Sequence, residues 1–484
     1  MIFYSGSLYR LPGQNPPCPL AGRDRGPNGR YESDEGIIMK LTLEQSKKRF
    51  VETFAASKRK TESQGDLIAG SFSRRGSNYG PHGIFVDRGE GAYIYTIDGK
   101  KLLDLSNNFT VNVLGHSHPA IVKAIRDGAE KGFSFGNPTD DEYRLAKILC
   151  DRIGSVEKLK FYCSASEACH CAVRIARGYT GKTKIAKFEG GYHGFVDNLS
   201  ISAHPAPSRF PGPASKPKPL PDSSGIPGYE TDNIVLLTQN RIDICEKLLR
   251  ENAGDTACLI MELQSGAGGV VLLDKEFVRA LREITKELGI VLIFDETVSL
   301  RADYRGFQHV YGVKPDLTVM GKMIGGGLPI GAVGGSSEVM SVIAEDQVQI
   351  MGTHHGHPLS AMAGIACMET LTEDAFARLN GMAARVKDTL NAWSREKGYP
   401  FVVYGGHSVL GFAFTDKVDR QITTHRDYWY YTDAERIFTM ALEMAVRGYY
   451  PVHRGEMCFS LPITDAETDG LIDTMREIIE SICT

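Results

Sequence analysis

Three places in the chain put a reactive or polar side chain directly after a short apolar run. Leu317-Thr318-Val319-Met320 ends in Gly321-Lys322, followed by Gly325-Gly326-Gly327. Lysine is ordinarily a solvated surface residue. One that closes an apolar strand among glycines is placed for chemistry, because its amine can condense with an aldehyde; the glycines alone would equally suit a flexible turn. Ile290 to Phe294 ends in Asp295-Glu296-Thr297, which sets a carboxylate at the carboxyl end of a strand. The plainer role for such an aspartate is a turn or a helix cap. Leu159-Lys160-Phe161-Tyr162 ends in Cys163-Ser164-Ala165-Ser166-Glu167 and opens a helix. Ser166 suits the N-cap there, and the free N–H groups of a helix start attract an anion such as phosphate.

In open α/β sheets, ligands sit at the carboxyl ends of the strands. A strand-end lysine, a strand-end aspartate and a phosphate-type helix start fit one cofactor, pyridoxal 5'-phosphate. The lysine would form an imine with it, the aspartate would hold the pyridine nitrogen protonated, and the helix start would grip the phosphate. The protonated ring is an electron sink that lets a Cα–H bond break. A fourth candidate, Arg454, stands just ahead of the alternating run Met457 to Leu461, where its planar fork suits a carboxylate. The plainer reading pairs it with a surface acid such as Glu456. No metal is expected: Cys169-His170-Cys171 has no second ligand pair at zinc spacing and reads as small buried residues on a helix.

These residues need strands and helices to hold them. Besides the runs above, Cys258-Leu259-Ile260-Met261 is nearly all apolar, as strands of a parallel sheet covered on both faces are. Helical spacing predicts helices over Pro119–Lys131, Asp140–Ile153, Glu167–Arg177 and Lys275–Leu288. Asp98-Gly99 signals a hairpin, and His204 to Pro227 reads as a long surface loop. The fold class expected is α/β, a large domain with a mostly parallel sheet flanked by helices, plus a smaller α+β domain drawn from both chain ends. The divisions are 1–64 (extension and helix), 65–129 (amino-terminal part of the small domain), 130–370 (large domain) and 371–484 (carboxyl-terminal small domain). The better-patterned chain starts at Met39, which suits an alternative start site.

A net charge of −4 implies no nucleic-acid partner. The absence of an apolar run near 20 residues implies no membrane span. Met1 to Arg10 lacks a signal-peptide core, and the ten cysteines form no disulfide framework, so a reduced, cytoplasmic compartment is expected.

Read in order, further segments join these. They are Leu114-Gly115-His116-Ser117-His118-Pro119, Phe188-Glu189-Gly190-Gly191-Tyr192-His193-Gly194, Phe294-Asp295-Glu296, Pro315-Asp316-Leu317-Thr318 with the Lys322 segment, and Gly352-Thr353 with Pro358-Leu359. Over residues 65 to 480 the chain resembles the class III aminotransferases of pyridoxal-phosphate fold type I. Within them it is most similar to glutamate-1-semialdehyde aminomutase and β-phenylalanine-type aminotransferases.

The resemblance implies roles. Lys322 is the covalent lysine and proton shuttle, and Asp295 the pyridinium partner. Ser164, Ala165 and Ser166 form the phosphate loop, and Tyr192 is the ring stacked on the cofactor. Thr353 reaches the phosphate of a neighbouring subunit, which implies a homodimer with shared sites; the apolar helix from Pro358 to Met368 would otherwise be an exposed flank. Arg454, with Arg74 or Arg75, binds a substrate carboxylate, and Phe109 is a pocket wall. Three departures stand out. Ala165 replaces glycine and its methyl would crowd the phosphate loop, Thr297 replaces a valine on the ring face, and His354-His355-Gly356-His357 replaces small polar residues. His355 is expected to line the substrate pocket.

The function implied is transfer of an amino group from a carboxylate-bearing donor, such as a β-amino acid, to a keto acid. The alternative is intramolecular transfer of the aminomutase kind; the aminomutase's carboxyl-terminal glutamate is replaced here by Arg454-Gly455. A non-catalytic binding protein is disfavoured by the presence of both Lys322 and Asp295.

Overall fold

The computed structural model describes residues 41–64, 67–70, 72–74, 80–416 and 422–484. Arg75 and the extension through residue 40 lie outside the described residues.

The apolar runs assemble into a seven-stranded sheet. Its order is Lys158–Tyr162, Gly331–Gly335, Leu317–Gly321, Val291–Asp295, Thr256–Met261, Lys184–Phe188 and Ile234–Leu237. Gly331–Gly335 runs antiparallel to both neighbours, and the remaining pairings are parallel. Alternate residues of a strand face opposite sides. Val291 and Ile293 therefore pack into the core beneath the helix Ala165–Thr180, while Leu292 and Phe294 pack into the core beneath the helix Lys275–Glu287. Helices on both faces explain why these strands carry no polar alternation.

Strands from the two chain ends share a second sheet of order Val86–Glu90, Tyr93–Thr96, Lys101–Asp104 and Tyr449–Tyr450. A third, antiparallel sheet contains Phe401–Gly406, Val409–Phe414 and Glu456–Cys458. Buried Arg301 ties these parts together. Its guanidinium donates to Ser408 Oγ at 2.9 Å, to the Thr110 carbonyl at 3.1 Å and to the Phe459 carbonyl.

Two expectations need correction. The helix after Tyr162 spans Ala165–Thr180 and its N-cap is Ser164, not Ser166. Glu167 sits three residues after Ser164, and the two close a reciprocal capping box that fixes the start there. The helix Pro358–Thr370 is not an exposed flank either. Pro358, Ala361, Gly364, Ile365 and Met368 are buried inside the chain, where the helix packs on Pro119–Lys131 and Asp140–Arg152. Apolar residues on nearly all its sides mark a central helix rather than one awaiting a partner. Among the described residues no helix is long and apolar enough to cross a membrane.

Candidate active site

Three adjacent parallel strands end on the same edge of the sheet, and each end is followed by a titratable residue. Lys322 follows Leu317–Gly321, Asp295 closes Val291–Asp295, and Glu262 follows Thr256–Met261. Sheet order therefore delivers the three side by side.

Lys322 has φ +52°, in the left-handed region that strains a residue with a Cβ. Its Nζ donates to Thr110 Oγ1 at 3.3 Å. Thr110 ends a run, Asn107 to Thr110, in which all four residues have positive φ. Strain of this kind persists only where the surroundings over-determine the backbone, and it gathers at functional sites. Burial pulls the Lys322 ammonium below the usual lysine range, against the opposing pull first of Glu456 and then of Cys458, Glu262 and Asp295. A lysine so placed gives up its proton readily and becomes a nucleophile.

Asp295 is buried and surrounded by donors. His193 Nδ1 lies 2.9 Å from Oδ2, the Cys169 thiol donates to the same oxygen at 3.3 Å, and the Thr297 N–H donates to Oδ1 at 3.1 Å. Burial alone would raise the carboxyl, but the His193 and Thr297 contacts outweigh it and leave it below its usual range. Burial also lowers the His193 imidazole, so the neutral ring donates through Nδ1. Asp295 is thus an anion without a fixed cation beside it, the environment that suits a protonated ring nitrogen. His193 Nε2 is buried and finds no partner among the described residues.

The cradle for a phosphate is built by glycines. The register sets Tyr162 level with Gly331, and Gly331 level with Gly321. A Cβ on Gly331 would lie 2.1 Å from the Ser164 carbonyl, and one on Gly194 would lie 2.7 Å from the Ser166 side chain. The Ala165 methyl would meet a Cβ on Gly321 at 2.9 Å. Glycine before Lys322 therefore makes room for the alanine, and the Ala165 methyl turns toward Gly321. The first-turn N–H groups of Ala165 and Ser166 have no acceptor within the helix, and they are what a phosphate would meet.

Tyr192 keeps 39 % of its surface exposed, with its N–H donating to Glu262 Oε2 at 3.1 Å and its ring 5.5 Å from that of His204. An open aromatic face near Asp295 suits stacking on a flat ring. Thr297 is half-buried, and its side chain and backbone both favour the ionised form of Asp295. These residues fit pyridoxal 5'-phosphate.

Glu262 was not singled out from sequence, although it carries the same signal as Asp295: a carboxylate at the end of a buried strand. Gln264 and Ser265, which follow it, masked that signal among other polar residues. Its Oε1 accepts the Gly266 N–H at 3.1 Å. Burial, then the Asp295 charge, push it up to about 8.

The substrate candidates fall in two groups. Arg454 Nη2 donates to Glu456 Oε2 at 2.7 Å, and Arg454 Nε is buried without a partner among the described residues. Glu456 is buried rather than a surface acid, and its charge acts more strongly on Lys322 than those of Glu262 and Asp295. Arg454 also acts on His204, the neighbour of Tyr192, which sets it in the same cleft. On the other side, Arg74 donates to Asn108 Oδ1 and lies 5.4 Å from the Phe109 ring centroid. Thr353 is exposed on a loop outside this cluster. His355 meets neither Arg454 nor Phe109 in any contact found; it lies with its ring 5.0 Å from that of Tyr162, close to Cys163 and Glu167.

Comparison with known proteins gives a family. The family model described as aminotransferase class-III matches residues 75–479. A glutamate-1-semialdehyde 2,1-aminomutase of Desulfotalea psychrophila (strain LSv54 / DSM 12343) is 41 % identical over 335 residues, 69 % of this chain and 76 % of the relative. An omega-transaminase from Sphaerobacter thermophilus superposes with a TM-score of 0.82 at 33 % identity, covering 89 % of this chain and 97 % of that one. A β-phenylalanine aminotransferase from Variovorax paradoxus gives the same TM-score, 0.82, at 28 % identity, covering 90 % and 96 %.

Proposed function

This chain belongs to the class III aminotransferase family, whose cofactor is pyridoxal 5'-phosphate, and from that premise we propose that it transfers an amino group from a carboxylate-bearing donor to a keto acid in two half-reactions. When bound, the cofactor supplies an aldehyde for amines and a ring that stores the electron pair released at the donor's Cα. Lys322 Nζ carries the proton to and from that Cα. Asp295 would hold a proton at the ring nitrogen, with His193 and Cys169 aiming its carboxylate and His193 and Thr297 keeping it ionised. Ser164, Ala165 and Ser166 hold the phosphate at the helix start, and Glu262 fixes the backbone of Tyr192 so that its ring stacks. Arg454 binds the donor carboxylate, Arg74 is the second anchor, and Phe109 walls the pocket.

The observation that carries the transferase reading is Gly455. It has φ +91°, and a Cβ there would lie 2.7 Å from the Phe412 carbonyl, so a glutamate at that position is excluded. One residue on, Glu456 returns a carboxylate to the neighbourhood of Lys322, and the aminomutase relative favours intramolecular transfer as the second reading. The two are separated by products. Glutamate-1-semialdehyde consumed without a keto acid supports the mutase; turnover that needs both a donor and a keto acid supports the transferase.

The carboxylate assignment has its own test: kcat/KM for a β-amino acid, an α-amino acid and a plain arylalkylamine in Arg454→Ala. Loss of a charge-assisted contact should weaken the two acids by ~2–4 kcal/mol and spare the amine. Glu456→Gln should improve the acids, because Arg454 would no longer be shared with a second carboxylate. An equal loss for all three donors in Arg454→Ala would make that arginine structural.

A homodimer completes the proposal, with Thr353 serving the partner's phosphate. Its support is a set of exposed apolar side chains about the same loop. Met351 is 89 % exposed, Phe133 (43 %) lies 5.9 Å from the His357 ring, and Phe135 and Tyr143 are exposed nearby. Clustered apolar exposure of this kind marks an interface.

A further inference from the structure

We infer that Cys163, Glu167 and His355 form a zinc(II) site on the outer side of the helix start that seats the phosphate. The sequence offers three histidines in His354-His355-Gly356-His357, and the structure sets His355 by Tyr162, Cys163 and Glu167. Folding takes one of them, His355, to a thiol and a carboxylate, and one ligand atom from each of the three residues lies within 4.8 Å of the other two. One sulfur, one imidazole nitrogen and one carboxylate oxygen, with a fourth position open, is a zinc donor set.

The rest of the hydrogen bonding leaves these donors available. Glu167 Oε2 accepts the N–H groups of Cys163 at 2.8 Å and Ser164 at 3.0 Å, so the helix cap uses one oxygen and leaves Oε1 outside it. His355 Nδ1 is buried with no hydrogen-bond partner among the described residues. The imidazole is held in place by the Tyr162 ring on one side and by Gly352 on the other, where any Cβ would collide with it. Glu167 is exposed while Cys163 and His355 are half-buried, so an ion can enter from solvent. The other such cluster among the described residues, Cys169 with His193 and Asp295, lies in the cofactor seat already described.

On binding, the Cys163 S–H bond breaks, its proton passes to solvent and an S–Zn bond forms, while His355 coordinates as the neutral ring. The ion would join the loop 351–357 to the capping box of the helix Ala165–Thr180. Thr353 is two residues from His355, so the site would also fix the loop proposed to reach the partner subunit.

The test uses the holoenzyme, dialysed against a chelator, given one equivalent of zinc chloride and desalted. Wild type should keep about one zinc per chain, and Cys163→Ser and His355→Ala should bind it at least about 10-fold more weakly. Cys169→Ser should keep it. Glu167→Gln preserves an oxygen for the cap, so it covers the case in which His355→Ala fails to fold; it too should weaken zinc about 10-fold. Zinc should also raise the unfolding midpoint of wild type and leave that of Cys163→Ser unchanged. Wild type that keeps no zinc, or equal retention in wild type, Cys163→Ser and Glu167→Gln, overturns the site.

Discussion

In the proposed reaction Lys322 and Asp295 divide the chemistry, and their surroundings support the two roles. The lysine is pulled toward its neutral form by burial, and the aspartate is kept anionic by its contacts with His193 and Thr297. Lys322→Ala should abolish turnover while circular dichroism and elution volume stay those of the wild type, since among the described residues no other amine meets Thr110 Oγ1. Measurable full turnover in that variant would remove the assignment. Asp295→Asn keeps the shape but loses the anion. It should still bind cofactor, yet bleach the cofactor absorbance with a donor at least about 100-fold more slowly. An unchanged rate would make Asp295 a structural residue. At this scale the sequence was legible where a charged side chain ended an unbroken apolar run, as at Lys322 and Asp295. It was not legible for Glu456, whose burial depends on a pairing between Val409–Phe414 and Glu456–Cys458 that no local pattern announces.

Between elements, the helix start and the strand end meet closely in the site. Ala165 and Gly321 face each other so closely that a second methyl has no room. Gly321→Ala should destabilise the holoenzyme by about 1–3 kcal/mol and loosen cofactor, as overpacking does. Ala165→Gly in the same chain should restore most of that loss; a loss that the second change does not touch would mean the strand itself rejects alanine. A second contact joins a strand to a loop. Lys187, on Lys184–Phe188, buries its ammonium against the carbonyls of Leu199 at 3.0 Å and Ile201 at 2.5 Å. Burial lowers it to about 8. An unfolded lysine titrates near 10.4, so from pH 8 to 10.4 the unfolded chain binds more protons and stability from this group rises with pH. Wild type should gain up to about 3 kcal/mol on Lys187→Met between pH 7.5 and 10, read from urea midpoints. Parallel pH profiles would show that the ammonium is not buried. Strands were readable from their apolar runs because both sheet faces are covered. The start of the helix Ala165–Thr180 was misplaced because Ser164 and Ser166 both suit a cap, and only Glu167, three residues past Ser164, distinguishes them.

Across the whole molecule, alternating strands and helices gave the layered centre, but not the meeting of the chain ends. Tyr449–Tyr450 joins Lys101–Asp104 across more than three hundred residues, and a two-residue strand leaves no periodic signal. The proposed partner subunit has no signal in local pattern, and the helix Pro358–Thr370 that was expected to need one is covered by its own chain. What points outward is the loop 351–357 with exposed Thr353 and Met351. If Thr353 serves the partner's phosphate, Thr353→Ala homodimers should bind cofactor about 10-fold more weakly, the loss expected for one hydrogen bond to a charged group. Mixed dimers then decide whose site it serves. A protomer with Lys322→Ala and intact Thr353 is paired, through two affinity tags, with a protomer carrying Thr353→Ala and intact Lys322. Shared sites place the intact lysine opposite an intact threonine, so the mixed dimer should regain about half the wild-type activity and hold cofactor at that site with wild-type affinity. If each protomer serves itself, the only site with a lysine lacks its threonine, and the mixed dimer should match half the activity of Thr353→Ala.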